Sequence, residues 1–100
     1  MPKGYWIALV DVKDMDGYKP YTVAIQPIFK KFGAHYVTRG GQSEIPEGHG
    51  RSRCVVIEFP DYAAAQACYR SPEYVEARKL RLGAAEADIL IVEGYDGPQP

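Results

Sequence analysis

The 100-residue sequence has few cysteines, no long apolar run and almost no net charge. Cys54 and Cys68 are too few for a disulfide framework and have no metal-ligand spacing. The longest fully apolar stretch, residues 5–10, is far shorter than the roughly 20 residues that cross a bilayer, and no signal-peptide core precedes it. We therefore expect a cytoplasmic protein in a reducing compartment, with no membrane partner.

The charge balance and the glycine pattern exclude other partners. Twelve basic and 13 acidic residues give no strong field for nucleic acid, and Arg53–Phe59 does not match a basic RNA-binding motif. Neither Arg39-Gly40-Gly41 nor Gly48-His49-Gly50 is a phosphate-binding glycine loop. No single element supplies three convergent metal ligands. We expect no nucleic acid, no cofactor and no metal.

The hydrophobic content of 46% is sufficient for one thin core, so residues 1–100 are predicted to form a single domain. The ordered part is expected to span about residues 3–94. Residues 95–100 are rich in Gly and Pro and are predicted to be a tail.

Apolar periodicity predicts four strands and two helical regions in the order β-α-β-β-α-β. The first helix follows Asp14 or Asp16 and ends at Gly33, with a kink expected at Pro27. The second helical region follows Asp61, restarts at Ser71-Pro72-Glu73 and is predicted to run to about residue 86. The strands are predicted at residues 5–12, 34–39, 53–59 and 88–93, with a long polar connection over 42–52.

This order is the ferredoxin-like α+β pattern, a four-stranded antiparallel sheet with both helices on one face. The strands, however, are apolar on both faces: Trp6, Ala8 and Val10 point to one side, and Ile7 and Leu9 to the other. Two helices cover only one face, so we expect a homodimer through the uncovered sheet faces. The alternative is a monomer whose second face is partly covered by the hairpin and tail.

Several motifs, in order from Lys3 to Gly94, resemble the bacterial domain-of-unknown-function 1330 family. They are Gly4-Tyr5-Trp6-Ile7, Arg39-Gly40-Gly41, Val56-Ile57-Glu58-Phe59-Pro60, Ser71-Pro72-Glu73-Tyr74, and Arg78 with Ala84-Ala85-Glu86. The resemblance implies a dimeric α+β barrel, in which two ferredoxin-like protomers join through their sheets. It implies no established reaction, because that superfamily includes cofactor-free monooxygenases, isomerases, haem enzymes and ligand sensors.

The second helical region contains one candidate site residue. On a helical wheel Arg81 lies within the apolar arc and Arg78 at its edge. If Arg78 turns inward, its guanidinium could bind a small acidic ligand or the carboxylate of Glu58 or Asp88. The alternative is an Arg78 that covers the core with its stem and keeps its charge in water.

Arg39 and Glu58 are the second candidates, since they lie near the ends of strands expected to be hairpin neighbours. They would either form a structural ion pair or line a pocket with one charge of each sign.

Aromatic hydroxyls and one histidine complete the candidate set. Tyrosines could line such a pocket or serve as core and interface anchors. His35, on a predicted strand, is the more plausible acid or base of the two histidines, although a lone strand histidine also fits an exposed position. The tyrosines in question are Tyr18, Tyr21, Tyr69 and Tyr74.

Three functions fit these observations. The first is a cofactor-free enzyme acting on a small acidic or aromatic metabolite, with Arg78 and Arg39 holding the anion and a tyrosine or His35 moving a proton. The second is a module that binds or senses such a ligand without turnover. The third is a dimeric domain whose polar residues serve only the fold and the interface.

Overall fold

The computed structural model describes residues 2–100 and consists of four strands and three helices. In chain order these are β1 (Gly4–Val12), α1 (Met15–Lys31), β2 (His35–Arg39), β3 (Arg53–Phe59), α2 (Tyr62–Arg70), α3 (Pro72–Lys79) and β4 (Ala85–Glu93).

The strands form one antiparallel sheet in the order β2-β3-β1-β4. In the register Trp6 lies between Ile57 and Ile91, on the face that the helices cover. The strand β2 has a bulge between Tyr36 and Thr38. The predicted ferredoxin-like fold is confirmed.

The second helical region is divided into α2 and α3 by two consecutive N-caps. The carboxylate of Asp61 accepts a hydrogen bond from the Ala64 amide at 2.7 Å, and the Ser71 hydroxyl accepts one from the Tyr74 amide at 3.1 Å. Pro72 follows at the first helical position, where its missing N–H costs nothing. The predicted restart at Ser71 is therefore confirmed.

The predicted end of this region near residue 86 is wrong. The helix α3 ends at Lys79, a turn follows, and Gly83 adopts a φ of +85°, which a helix cannot continue through. The strand β4 begins at Ala85, three residues earlier than predicted. Ala84 and Ala85 are buried, but Ala84 lies in the turn and Ala85 in β4 and not in a longer helix.

The helix α1 is continuous through Pro20 and Pro27. Asp14 is its N-cap residue, although its side chain makes no capping hydrogen bond. After the helix Gly33 adopts a φ of +72°, and the Ala34 amide returns to the carbonyl of Phe29 at 2.9 Å. This turn leads the chain directly into β2.

The core lies between the helices and the sheet and is centred on Trp6. Its indole N–H donates to the Ala65 carbonyl at 2.8 Å, so the polar atom of a fully buried ring has its partner. The rings of Phe29, Phe59 and Tyr74 pack around it at centroid distances of 5.0 to 5.4 Å.

The sheet face turned away from the helices, here called the outer face, is only partly covered. Tyr5, Ile7 and Leu9 are half-buried on it, while Leu90 is 58% and Val92 37% exposed.

Among the described residues no helix has the length and apolar character that spanning a membrane requires.

Candidate functional site

A cavity of about 40 Å³ lies between α1 and the helix-covered face of the sheet. Its walls are mostly apolar and aromatic, with a floor of β-strand side chains. Seven polar or amphipathic side chains line it: Tyr18, Tyr21, Thr22, Tyr36, Arg39, Arg53 and Arg81. The lining contains three arginines and no Asp, Glu or His.

Arg81 is the buried cation of this cavity. Only 7% of the residue is exposed, and its Nε has no hydrogen-bond partner within residues 2–100. The guanidinium lies over the ring of Tyr21, 5.4 Å from its centroid. Burial acts to lower the pKa of Arg81, but the neighbouring phenols of Tyr74 and Tyr21 raise it and the net shift is upward. Arg81 therefore carries its charge into the core.

Arg53 reaches the same cavity from the start of β3. It precedes Val55 by two residues and so faces the helices, and its Nε is also buried without a partner in the described part of the chain. Gly40 makes room for it: a Cβ at this position would overlap the Arg53 guanidinium. Gly40 also has a φ of +69°, a backbone conformation that favours glycine, and a side chain here would displace the Arg53 guanidinium.

Arg39 stands at the mouth of the cavity. It is exposed, and its guanidinium stacks on the ring of Tyr36 at 4.6 Å from the centroid. In the register Arg39 pairs with Val55, whose side chain faces the helices. The bulge between Tyr36 and Thr38 shifts the alternation of side chains by one residue. Arg39 therefore shares a face with Arg53 and Tyr36.

None of the three arginines forms an ion pair with a carboxylate of the described chain. Arg51 provides the contrast, since it binds Asp11, Glu86 and Asp88 at 3.0 to 3.1 Å. Buried cations are normally paired, because removing an isolated charge from water is costly. A cavity that gathers unpaired guanidinium groups is suited to bind an anion.

The phenols of Tyr18 and Tyr21 keep their protons at neutral pH, because the pKa of each is raised. Burial raises the pKa of Tyr18, outweighing the opposing effect of the charges of Arg53 and Arg81. Burial, together with the adjacent phenol of Tyr74, raises the pKa of Tyr21 far above its ordinary value. The Tyr21 and Tyr74 hydroxyl oxygens are 2.7 Å apart, so one donates to the other. These groups can donate hydrogen bonds to a ligand, but they are not ready bases.

The structure brings three of the residues predicted from the sequence, Tyr18, Tyr21 and Arg39, to the cavity. Tyr69 and Tyr74 belong to the aromatic core, where both pack against Trp6. Arg78 is exposed near the end of α3 and does not line the cavity.

Arg39 and Glu58 do not form the predicted ion pair. Arg39 faces the helices, whereas Glu58 is on the outer face and accepts a hydrogen bond from the Tyr5 hydroxyl at 3.1 Å. His35 is exposed and lies beside Glu58 in the register, away from the cavity lining. Strand alternation and the bulge in β2 separate these side chains.

Arg53, Arg81 and Tyr36 are site residues that the sequence-based candidate set does not contain. The signal for Arg53 is its two-residue spacing from Val55 and Ile57, which places it on the apolar face. For Arg81 the signal is its position among apolar neighbours. The predicted helix to residue 86 would place Arg81 within that helix, whereas it lies in the turn after α3.

Metal-ligating and thiol chemistry have no counterpart at this cavity. Residues 2–100 contain no group of three or more His, Cys, Asp or Glu side chains placed to hold a metal ion. Cys68 is fully buried, and Cys54 is half-buried on the outer face. Both cysteines are free thiols.

Comparison with known proteins identifies a family and a fold. The model of the family described as "Domain of unknown function (DUF1330)" matches residues 3–95. No curated protein matches the chain. A protein of unknown function from Rhodopseudomonas palustris is 21% identical, with 96% of this chain and 85% of that chain covered and a TM-score of 0.73.

Two further solved structures share the fold. A dimeric ferredoxin-like protein of unknown function from Jannaschia sp. CCS1 is 14% identical, covering 91% of this chain and 98% of that chain with a TM-score of 0.68. SnoaB, a cofactor-independent oxygenase from Streptomyces nogalater, is 9% identical, covering 100% and 97% with a TM-score of 0.63. At these identities the likeness establishes the architecture.

Proposed function

The chain belongs to the DUF1330 family, whose name assigns no activity, and from its site we propose that it binds a small organic carboxylate in the cavity between α1 and the sheet. The observation that carries this proposal is Arg81. An arginine that is only 7% exposed, has a buried Nε without a partner and lines a cavity is a costly arrangement unless an anion completes it.

The side chains that line the cavity indicate the chemistry of the ligand beyond its anionic group. Apart from its polar groups the cavity is lined by apolar and aromatic side chains such as Ile25, Phe29 and Ile57, which favour an organic group over an inorganic ion. The guanidinium fork matches the two oxygens of a carboxylate. A volume of about 40 Å³ sets a small size, because one water needs roughly 10 to 15 Å³.

The geometry favours binding over turnover. The lining contains hydrogen-bond donors but no carboxylate or imidazole, and the raised pKa values of Tyr18 and Tyr21 keep their phenols protonated. The groups predicted to move a proton in a cofactor-free enzyme are a tyrosine or His35, but Tyr18 and Tyr21 stay protonated and His35 lies away from this cavity.

The proposed assembly is a homodimer through the outer face. Exposed Leu90 and Val92 continue the apolar surface of Ile7 and Leu9, and an uncovered apolar sheet face is typical of an interface. The Jannaschia protein of the same fold is described as dimeric, which supports this arrangement.

Titration of the purified protein tests the binding function. The single tryptophan, Trp6, lines the cavity, so its fluorescence reports occupancy alongside calorimetry. The probes are short mono- and dicarboxylates, with inorganic phosphate for comparison. We expect saturable binding of at least one carboxylate, weakened at least 10-fold in Arg81→Gln.

The matched control is Arg78→Gln, which removes the same charge from an exposed position outside the cavity. It should bind as the wild type does. If Arg81→Gln does not fold, Arg81→Met, which places an apolar side chain of similar length at this buried position, takes its place. Absence of carboxylate binding, tighter binding of phosphate than of any carboxylate, or an equal loss in the Arg78 variant contradicts the proposal.

A further inference from the structure

The arginines of the cavity come from two separate places in the fold. Arg39 and Arg53 belong to the neighbouring strands β2 and β3, whereas Arg81 precedes β4 on the other side of β1. Adjacent strands are about 4.8 Å apart, so β3 and β4 are separated by roughly 10 Å. Arg53 and Arg81 therefore enter the cavity from opposite sides of β1, here called its two ends.

Each end has its own unsatisfied donor. At one end the Nε of Arg53 is buried without a partner, and Gly40 keeps space for the guanidinium. At the other end the Nε of Arg81 is buried without a partner, above the ring of Tyr21. Because both ends are incomplete in the same way, one carboxylate would satisfy only one of them.

The surface between the two ends is apolar. It consists of Ala8 and Val10 of β1 and Ala87 of β4, with the ring of Tyr18 among the lining groups. The charges of both Arg53 and Arg81 act on the Tyr18 phenol, which places Tyr18 within electrostatic reach of the two ends. A ligand that fits this surface has a short apolar middle and an anionic group at each end.

We propose that the ligand is a short-chain dicarboxylate, with one carboxylate bound by Arg81 and the other by Arg53 and Arg39. The inference rests on the proposed function and specifies its ligand class. Three guanidinium charges without a carboxylate among them are better neutralised by a dianion than by a monoanion. The small cavity limits the length of the chain, and Arg39 is exposed at its mouth.

The experiment compares dicarboxylates of three to six carbons with the monocarboxylates of equal chain length, for example succinate with butyrate. Calorimetry and Trp6 fluorescence give the dissociation constants. We expect one dicarboxylate to bind at least 10-fold more tightly than its matched monocarboxylate, with affinity falling for shorter and longer chains.

The arginine variants test which carboxylate of the ligand each arginine binds. Arg53→Gln should reduce dicarboxylate affinity to the level of the monocarboxylate while changing monocarboxylate affinity less than two-fold. Arg81→Gln should weaken both. If Arg53→Gln does not fold, Arg39→Gln, at an exposed position, makes the same test, and Arg78→Gln is again the matched control.

The outcomes separate this inference from the proposed function. Equal affinity for matched mono- and dicarboxylates, or an equal loss of both in Arg53→Gln, overturns the dicarboxylate assignment and leaves carboxylate binding in place. A protein that binds neither class contradicts both.

Discussion

The hydroxyl oxygens of Tyr21 and Tyr74 are 2.7 Å apart and connect α1 to α3 inside the core. Tyr74 is fully buried, and Tyr21 is 6% exposed. Each hydroxyl thus depends on the other for its hydrogen bond, and Tyr21 also provides the ring beneath Arg81. This pair fixes one wall of the cavity to the rest of the fold.

Replacing one of these tyrosines should cost more than replacing both. Tyr74→Phe leaves the Tyr21 hydroxyl buried without a partner, and we expect the free energy of unfolding to fall by about 1 to 3 kcal/mol. The double variant Tyr21→Phe with Tyr74→Phe removes both polar groups and should be closer to the wild type. Urea unfolding of Tyr21→Phe, Tyr74→Phe and the double variant measures these losses, and simply additive losses would contradict the paired arrangement.

Arg81→Met should separate stability from binding. Since Arg81 is buried without a carboxylate, an apolar side chain of similar length should raise the unfolding free energy by about 1 kcal/mol while abolishing carboxylate binding. Denaturant unfolding and calorimetry on the same variant provide the comparison. A loss of more than about 2 kcal/mol would instead assign Arg81 a structural role.

Gly40→Ala should weaken ligand binding by displacing Arg53. The matched control is Gly48→Ala, because Gly48 has a similar φ of +79° but no atom within 4 Å of the position of a Cβ. Both variants should lose about 1 kcal/mol of stability to backbone strain. Only Gly40→Ala should lower carboxylate affinity, and an equal effect at Gly48 would refute the positioning role.

Leu90→Glu should dissociate the proposed homodimer. Leu90 is 58% exposed on the outer face, and burying a carboxylate between two apolar sheets is costly. Val23→Glu places the same charge on α1, where Val23 is 69% exposed on the helical layer. Light scattering at micromolar concentration should give twice the mass of one chain for wild type and Val23→Glu, and that of a single chain for Leu90→Glu. A monomeric wild type would contradict the dimer.

The fold was predictable because local signals and apolar pattern agree. Strand alternation placed Trp6 and Ile7 on opposite faces, and the caps at Asp61 and Ser71 marked both helix starts. The exception is the end of α3, because the alanines after Gly83 have high helix propensity, whereas the structure places them at the edge of the sheet. At the end of α3, tertiary contacts outweigh helix propensity.

The site was less predictable because it depends on side-chain direction. A bulge in β2 brings Arg39 to the same face as Arg53, and no residue pattern marks the bulge. Arg78 and Arg81 differ by three positions, yet the early end of α3 leaves one in solvent and the other in the core. Charged residues near an apolar arc suggest a site, but loop geometry decides which of them enters it.

The thiol of Cys68, in α2, is fully buried. Burial raises the pKa of Cys68 from 9.0 to about 12. Between these two values the unfolded chain releases the thiol proton and the folded chain retains it, so the unfolding free energy falls as pH rises through this window. Below pH 9 the contribution is fully present.

Comparison of the wild type with Cys68→Ala isolates this effect, since the two chains share every other titrating group, Tyr18 and Tyr21 included. One unit of pKa shift corresponds to about 1.4 kcal/mol, so the advantage of the wild type should shrink by about 1 kcal/mol or more between pH 8 and pH 10.5. Urea unfolding at several pH values measures the difference. An advantage that stays constant with pH would show that the pKa of Cys68 is not raised in the folded protein, and hence that water reaches its thiol.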